Sequence, residues 1–201
     1  MSTNASDTTA TLHEHYQRLL QGMASAVAAR GYADTTIADI VREAAVSRRS
    51  FYEHFSTKAE CLVALYEAAS QQALQVLSDA VDPAQPWQIQ VERTVTCYLD
   101  FLAVDPVLLR TLFVEILGLG LPGLAVRRKV NEAIADFVRQ STGQHLSPEL
   151  AMMVVGAINE LILQAVEHDR TADLRQLAIP ATRLILAVAD ADADRSRLAG
   201  P

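Results

Sequence analysis

The chain has 201 residues, half of them hydrophobic but only 5% aromatic, and a formal net charge of -7. That length supports one or two domains with a substantial core, and the dominance of Ala, Leu and Val suits helices better than sheets. The longest uncharged runs, such as 116–126, reach about eleven residues, where a bilayer span needs roughly twenty; the polar start MSTNASDTTATLHEHY lacks the apolar stretch of a secretory signal, so a cytoplasmic protein without membrane contact is expected.

Residues 1–10 are rich in Ser, Thr, Asn and Asp and read as disordered. A helical period begins at Leu12 and runs through Tyr16, Leu19, Leu20, Met23 and Val27 to Gly31, a residue suited to a helix C-terminus. Thr36-Ile37-Ala38-Asp39 has the form of a capping box, with Asp in place of the usual Glu or Gln. Ile37, Ile40, Val41 and Ala44 then make a short apolar face, Ala45-Val46 a turn, and Ser47 a cap for a further helix in which Phe51 and Phe55 point inward. Ser56 or Thr57 starts a longer helix through Leu62, Leu65, Ala69, Ala73, Val76 and Leu77.

The run 82–86, DPAQP, breaks the pattern, and Pro86 opens a helix carrying Trp87, Val91, Val95, Tyr98 and Leu102. Asp105 caps the next one, which ends near Leu117. GLGLPG at 118–123 reads as a flexible connector, followed by a helix over 124–140 that stops at Ser141-Thr142-Gly143. Ser147-Pro148 opens a helix ending near His168, and a last helical segment covers 172–192, kinked or restarted at Pro180, with a fraying tail. The fold class is therefore all-α, with about nine helices.

Residues 35–58, TTIADIVREAAVSRRSFYEHFSTK, have the layout of a helix-turn-helix, whose second helix enters the DNA major groove with its N-terminal residues on base edges. Arg48 and Arg49 open that second helix, where bidentate contact to guanine is geometrically easy; either is equally open to phosphate. Thr36, Ser47, Ser50, Tyr52, His54 and Lys58 supply hydroxyl, imidazole and ammonium donors for the DNA backbone, with Thr36 and Lys58 near helix N-termini. The acidic net charge is no obstacle. Residues 1–58 hold six basic and six acidic side chains, so the whole deficit lies beyond them, and screening acts over about 8–10 Å.

The pattern GY..TTI.DI...A.VS...FY.HF..K, spanning Gly31 to Lys58, resembles the DNA-binding domain of the TetR family of bacterial transcriptional repressors. Ala45 stands where that family often has glycine. The resemblance implies a helix-turn-helix domain over 11–57 and a helical domain over 58–195 that binds a small molecule and dimerises. It further implies a repressor on a palindromic operator, released when an effector displaces the helix that starts near Thr57. Dimerisation has its own rationale: one short helix reads too few base pairs, and paired units sit about 34–36 Å apart on DNA.

The segment 151–166 is apolar on nearly all sides. Its stripe Val155, Ile158, Ile162 and Ala165, with Leu184, Ile185 and Val188 of the last helix, is the expected pairing surface, and Gly156 allows close approach. The expected effector pocket, for a mostly apolar ligand, draws on Trp87, Cys97, Tyr98, Phe101, Phe113, Ile116, Met152 and Met153, with Asn159 as a polar anchor; Asn159 and Glu160 also suit a dimer contact or a solvated edge. No phosphate loop, GxSxG or HExxH is present, and Cys61 and Cys97 have no metal-ligand spacing, so neither catalysis nor a cofactor or metal is expected. The competing reading is a helical adaptor that binds only protein.

Overall fold

The computed structural model describes residues 3–143 and 145–198, with side chains from Leu12 to Ala193. Among these residues there are nine α-helices, two short 3-10 helices and no strand. They divide into two compact units: the first takes in the chain to Ala69 together with 110–126, the second 70–109 and everything from Arg127 onward.

In the first unit, α1 (Thr3–Asp34) begins well inside the polar start that reads as disordered, and Gly31 interrupts it with φ 76° and ψ 160°. Leu19, Leu20, Met23, Ala26 and Val27 are its buried face. Gly22 sits where α2 (Ile37–Ala44) crosses: a Cβ there would fall 2.6 Å from the Ile40 carbonyl oxygen and 2.8 Å from the Ala44 nitrogen. Only glycine lets the two helices lie this close, which is how Ile40 and Ala44 come to be buried. The capping box forms in full. Asp39 N–H donates to Thr36 Oγ1 at 3.2 Å, and Thr36 N–H donates to the Asp39 carboxylate at 3.1 Å.

Helix α2 ends at Ala45, which is left-handed at φ 50°, ψ 44°. A non-glycine residue pays about 1–2 kcal/mol for that conformation. Arg18 offsets the cost from α1: its guanidinium donates to the Ala44 carbonyl at 2.9 Å and to the Ala45 carbonyl, supplying partners for the exposed end of α2. Ser47 then caps α3 (Arg48–His54), its Oγ accepting from Ser50 N–H at 2.9 Å. Phe51 and Phe55 are buried, with ring centroids 5.7 Å apart.

Helix α4 (Lys58–Asp79) opens with Thr57 Oγ1 accepting from Glu60 N–H at 3.2 Å, so Thr57 rather than Ser56 is the cap. It contributes 58–69 to the first unit and 70–79 to the second. The first unit is completed from a distant part of the sequence. A 3-10 helix, Glu115–Leu119, follows α6 (Pro106–Phe113), and the Glu115 carboxylate accepts from Tyr32 N–H at 2.8 Å. The chain from 110 to 126, expected in the C-terminal domain, is drawn here by that bond and by the approach of Gly118 to the Tyr32 ring, which a Cβ on Gly118 would meet at 3.6 Å. The connector expected over 118–123 shrinks to Gly120 at φ 65°. Residues 118–119 finish the 3-10 turn, and α7 (Leu121–Ser141) starts with Pro122 in its first turn, where no N–H is needed.

The second unit is built from α5 (Trp87–Val104), most of α7, α8 (Pro148–Glu167) and α9 (Ala178–Leu198). Pro180 does not kink a helix. A 3-10 helix over Thr171–Leu177 precedes α9, and the proline falls in the first turn of the restarted helix. Helices α7 and α8 are antiparallel neighbours joined by a short turn, and Ser147 N–H donates to the Asp192 carboxylate of α9 at 2.9 Å. By length and composition alone α8 could cross a membrane; here Ala151, Val154, Val155, Ile162 and Val166 are buried within the unit. The tail from 191 onward, expected to fray, continues α9 as far as Leu198, and the residues after it lie outside the described residues.

Candidate nucleic-acid interface and effector cavity

The start of α3 is the exposed end of a rigidly capped unit. Arg48 and Arg49 both face solvent, with 90% of the Arg49 side chain exposed. Their availability differs. Arg49 Nε lies 3.1 Å from the Glu53 carboxylate one turn on. Arg48 is the one cation of residues 12–58 without a partner among the described residues. The others are engaged: Arg18 on the carbonyls that end α2, Arg30 and Arg42 on Asp39 at 3.6 and 3.0 Å, Lys58 on α1.

Tyr52 is exposed, and Ser50 is half-buried with its hydroxyl 2.9 Å from that of Ser47. Ser47, Ser50 and Tyr52 thus share with the arginines the exposed side of α3. Thr36 is exposed, but its hydroxyl is engaged in the capping box, donating to Asp39 at 2.6 Å; what it offers outward is the N-terminus of α2.

Lys58 and His54 are placed differently from the sequence expectation. The Lys58 ammonium donates to the carbonyls of Tyr32, Ala33 and Thr35 at 2.9, 3.1 and 2.7 Å and lies 4.5 Å from the centre of the Tyr32 ring. An ammonium has three donors, and all are spent on closing the end of α1. His54 turns inward against Tyr16, with ring centroids 5.8 Å apart, and its Nε2 is buried without a partner. Neither side chain faces outward for a phosphate.

Asp39 is the electrostatic centre of this unit. The Thr36 hydroxyl and then the Thr36 N–H hold its carboxylate, Arg42 and Arg30 add to them, and its pKa falls from 3.8 to about 2. A depressed carboxyl contributes stability above its unfolded pKa and loses it as pH falls through the folded one. Wild-type protein should therefore melt at steadily lower temperature from about pH 4 to pH 2, and Asp39→Asn should show a shallower slope there. Circular dichroism melts of both across that range check this; parallel slopes would remove Asp39 from the acid response. Cys61, by contrast, is a core thiol, pushed up to about 12 by burial.

The second unit holds an apolar cavity of about 50 Å³. Helix α5 lines it with Val91, Thr94, Val95, Tyr98 and Leu99, α7 with Ile134, Phe137, Val138 and Ser141, and α8 with Val155, Ile158 and Asn159; Leu77 and Ile185 complete the wall. Of the residues expected at a pocket, Tyr98 and Asn159 are there. Trp87 packs just beside it on Val91, Val154 and Ile185, and Met152 packs into the neighbouring cluster around Leu146. Met153 is 67% exposed, Cys97 and Phe101 are half-buried off the lining face of α5, and Phe113 and Ile116 lie in the first unit. The α7 wall was missed, although its spacing of 134, 137, 138 and 141 is a helical stripe.

The expected pairing surface is largely core. Val155, Ile162, Ala165 and Ile185 are buried, Ile158 lines the cavity, and Val188 packs against both apolar clusters; Leu184 alone of that set is exposed. The open face of α8 instead carries Met153, Gly156, Ala157 and Leu161, and α9 adds Ile179, also 67% exposed. A Cβ on Gly156 would meet nothing within 4 Å.

The described residues thus hold a capped helix-turn-helix unit and an all-helical unit with an apolar cavity. Residues 19–65 match the family model of bacterial regulatory proteins, tetR family. The helix-turn-helix of this chain, α2 and α3, lies within those residues. The fatty acid metabolism regulator protein of Bacillus subtilis (strain 168) is 21% identical over 184 residues, 85% of this chain and 93% of that one. Among the solved structures that share the fold are two regulators named FadR. The fatty acid degradation regulator FadR from Bacillus halodurans has a TM-score of 0.74 at 20% identity, covering 85% of this chain and 94% of its own. The transcriptional regulator FadR from Bacillus subtilis in complex with stearoyl-CoA has 0.75 at 17%, covering 85% and 97%.

Proposed function

We propose that the protein is a homodimeric repressor that binds a palindromic operator through α3 and releases it on binding a long-chain fatty acyl effector. The observation that carries the DNA-binding part is the start of α3, where Arg48 stands unpaired beside Arg49 on a helix whose caps and turn are fully satisfied. Ser47, Ser50 and Tyr52 on the same side, with the N-terminus of α2 at Thr36, provide the phosphate contacts.

The pairing surface is the open apolar face of α8 and α9, Met153, Gly156, Ala157, Leu161, Ile179 and Leu184, rather than the buried stripe beside it. Exposed apolar residues grouped on neighbouring helices mark an interaction site, and the empty space over Gly156 leaves room for a second backbone.

The effector assignment draws on the cavity's apolar walls and on the relative whose structure holds stearoyl-CoA. A cavity of about 50 Å³ exceeds the ~10–15 Å³ that one water needs but not the bulk of a long acyl chain, so Phe137, Tyr98 and their neighbours must part to admit it. That displacement is the physical source of coupling. The ligand favours a state with separated walls, and α4, which carries Leu77 on the cavity and Lys58 on the end of α1, carries the change.

A gel shift tests this, with an operator fragment selected from genomic DNA by the wild-type protein and stearoyl-CoA as the added ligand. The expected result is a retarded complex of two protomers that is lost on adding ligand. Stearoyl-CoA that binds without changing DNA affinity would sink the release mechanism.

A further inference from the structure

We propose that the cavity of the second unit is built for an amphiphile with an anionic head, and that Arg127 holds that head; this deepens the acyl-effector reading and rests on it. Besides Thr94 and the Ser141 hydroxyl near the turn between α7 and α8, the polar lining of the cavity stands at one end. Helix α5 begins beside the turn between α7 and α8, where the Trp87 and His145 rings lie 5.8 Å apart, and that end is closed by the apolar cluster of Leu146, Ala151 and Val155. Thr94, midway along, spends its hydroxyl on the carbonyls of Gln90 and Val91, so the middle of the cavity is apolar in effect. At the far end stand Tyr98 and Asn159, and the Asn159 amide donates to Asn131 Oδ1 at 3.1 Å.

Asn131 lies one turn before Ile134 on α7, and Arg127 one turn before Asn131. The positions 127, 131, 134, 138 and 141 follow one helical stripe, and four of them line the cavity or bond to a lining residue. Arg127 is half-buried and has no partner among the described residues. A partly desolvated guanidinium left unpaired is costly, and among the described residues no carboxylate lies within ion-pair distance of it, which leaves the place open for an anion. A guanidinium presents five donors in a fork that fits carboxylate or phosphate. The Asn131–Asn159 pair, one turn inward, supplies amide groups for the carbonyl that joins head to chain. The apolar chain then extends toward Trp87, and the head remains at Arg127.

Two sources of the anion are distinguishable, a free carboxylate and the phosphates of a coenzyme A ester. The full-length protein is titrated with palmitate, palmitoyl-CoA and 1-hexadecanol, followed by calorimetry and by the fluorescence of Trp87, the sole tryptophan. Wild-type protein should bind at least one anionic ligand about tenfold or more tighter than the alcohol. Arg127→Ala should remove that preference and leave hexadecanol binding unchanged, with Arg127→Lys in between because a point charge replaces the fork. Sensitivity with palmitate assigns a carboxylate head; sensitivity with palmitoyl-CoA alone assigns phosphate. Equal effects of Arg127→Ala on all three ligands, or none on any, would overturn the role of Arg127 while leaving the effector reading in place. Failure of all three ligands to bind the wild type would overturn both.

Discussion

Replacing Arg48 and Arg49 together with alanine should lower operator affinity by about a hundredfold or more while leaving the fold intact. A good bidentate contact to a base discriminates by about 1–3 kcal/mol, and each 1.4 kcal/mol is tenfold in affinity. Arg48→Ala should account for the larger share, because Arg48 is unpaired and Arg49 must first leave Glu53, 3.1 Å away. Both side chains are exposed, so melting temperature should move little. The two roles open to each arginine separate by salt. Loss of a phosphate contact weakens all sequences alike and reduces the salt slope by about one, whereas loss of a base contact relaxes preference at one position of the operator. A double variant that still retards the operator as the wild type does would move the interface away from α3. It would also reopen the adaptor reading, in which these arginines have no task.

Phe51→Ala should be the most damaging single change to the DNA-binding unit. The ring is fully buried and meets Phe55 and Tyr52 at centroid distances of 5.7 and 5.6 Å. Truncating a buried Phe to Ala costs about 3–5 kcal/mol through lost transfer energy and the cavity left behind. That is a large fraction of the roughly 5–15 kcal/mol of a whole domain. The expected readout is a lower melting temperature with early loss of amide protection over α2 and α3, and DNA binding lost with it. Phe51→Leu, which keeps most of the volume, should cost less than the alanine change. A loss below about 1 kcal/mol for the alanine variant would mean that this unit does not depend on the aromatic cluster.

The local parts of the helix-turn-helix were legible because their causes are local. Thr36 and Asp39 are three residues apart, as are Ser47 and the Ser50 amide it caps, and a capping bond depends on little else. The exposure of Arg48 and Arg49 follows from their place one and two residues past that cap. Contacts that depend on distant chain were not legible, for the same reason. Lys58 and the carbonyls it binds lie 23 to 26 residues apart, and Arg18 reaches a turn 26 residues on. Nothing in the neighbourhood of either residue announces its partner. His54 has the spacing of an outward residue until Tyr16 of α1 is laid against it.

The second unit shows the same division. Hydrophobic periodicity marked which helices have apolar faces, but α8 is apolar on almost every side, so periodicity could not say which face is core. The buried side turned out to hold Val155, Ile158 and Ile162, and the open side Met153, Gly156 and Leu161. The cavity likewise required knowing that α7 lies antiparallel to α8, which joins Asn131 to Asn159 and turns Ile134 and Phe137 into its wall.

By itself, then, the sequence determined the helical class, the caps of α2, α3 and α8 and the pair of arginines that opens α3. These rest on backbone caps, turn chemistry and composition, all settled within a few residues. Only the tertiary structure decided which basic side chains remain unpaired, which face of α8 is open and which residues surround the cavity. Each of those depends on what packs against a side chain from tens of residues away, and burial is a property of that packing rather than of the residue.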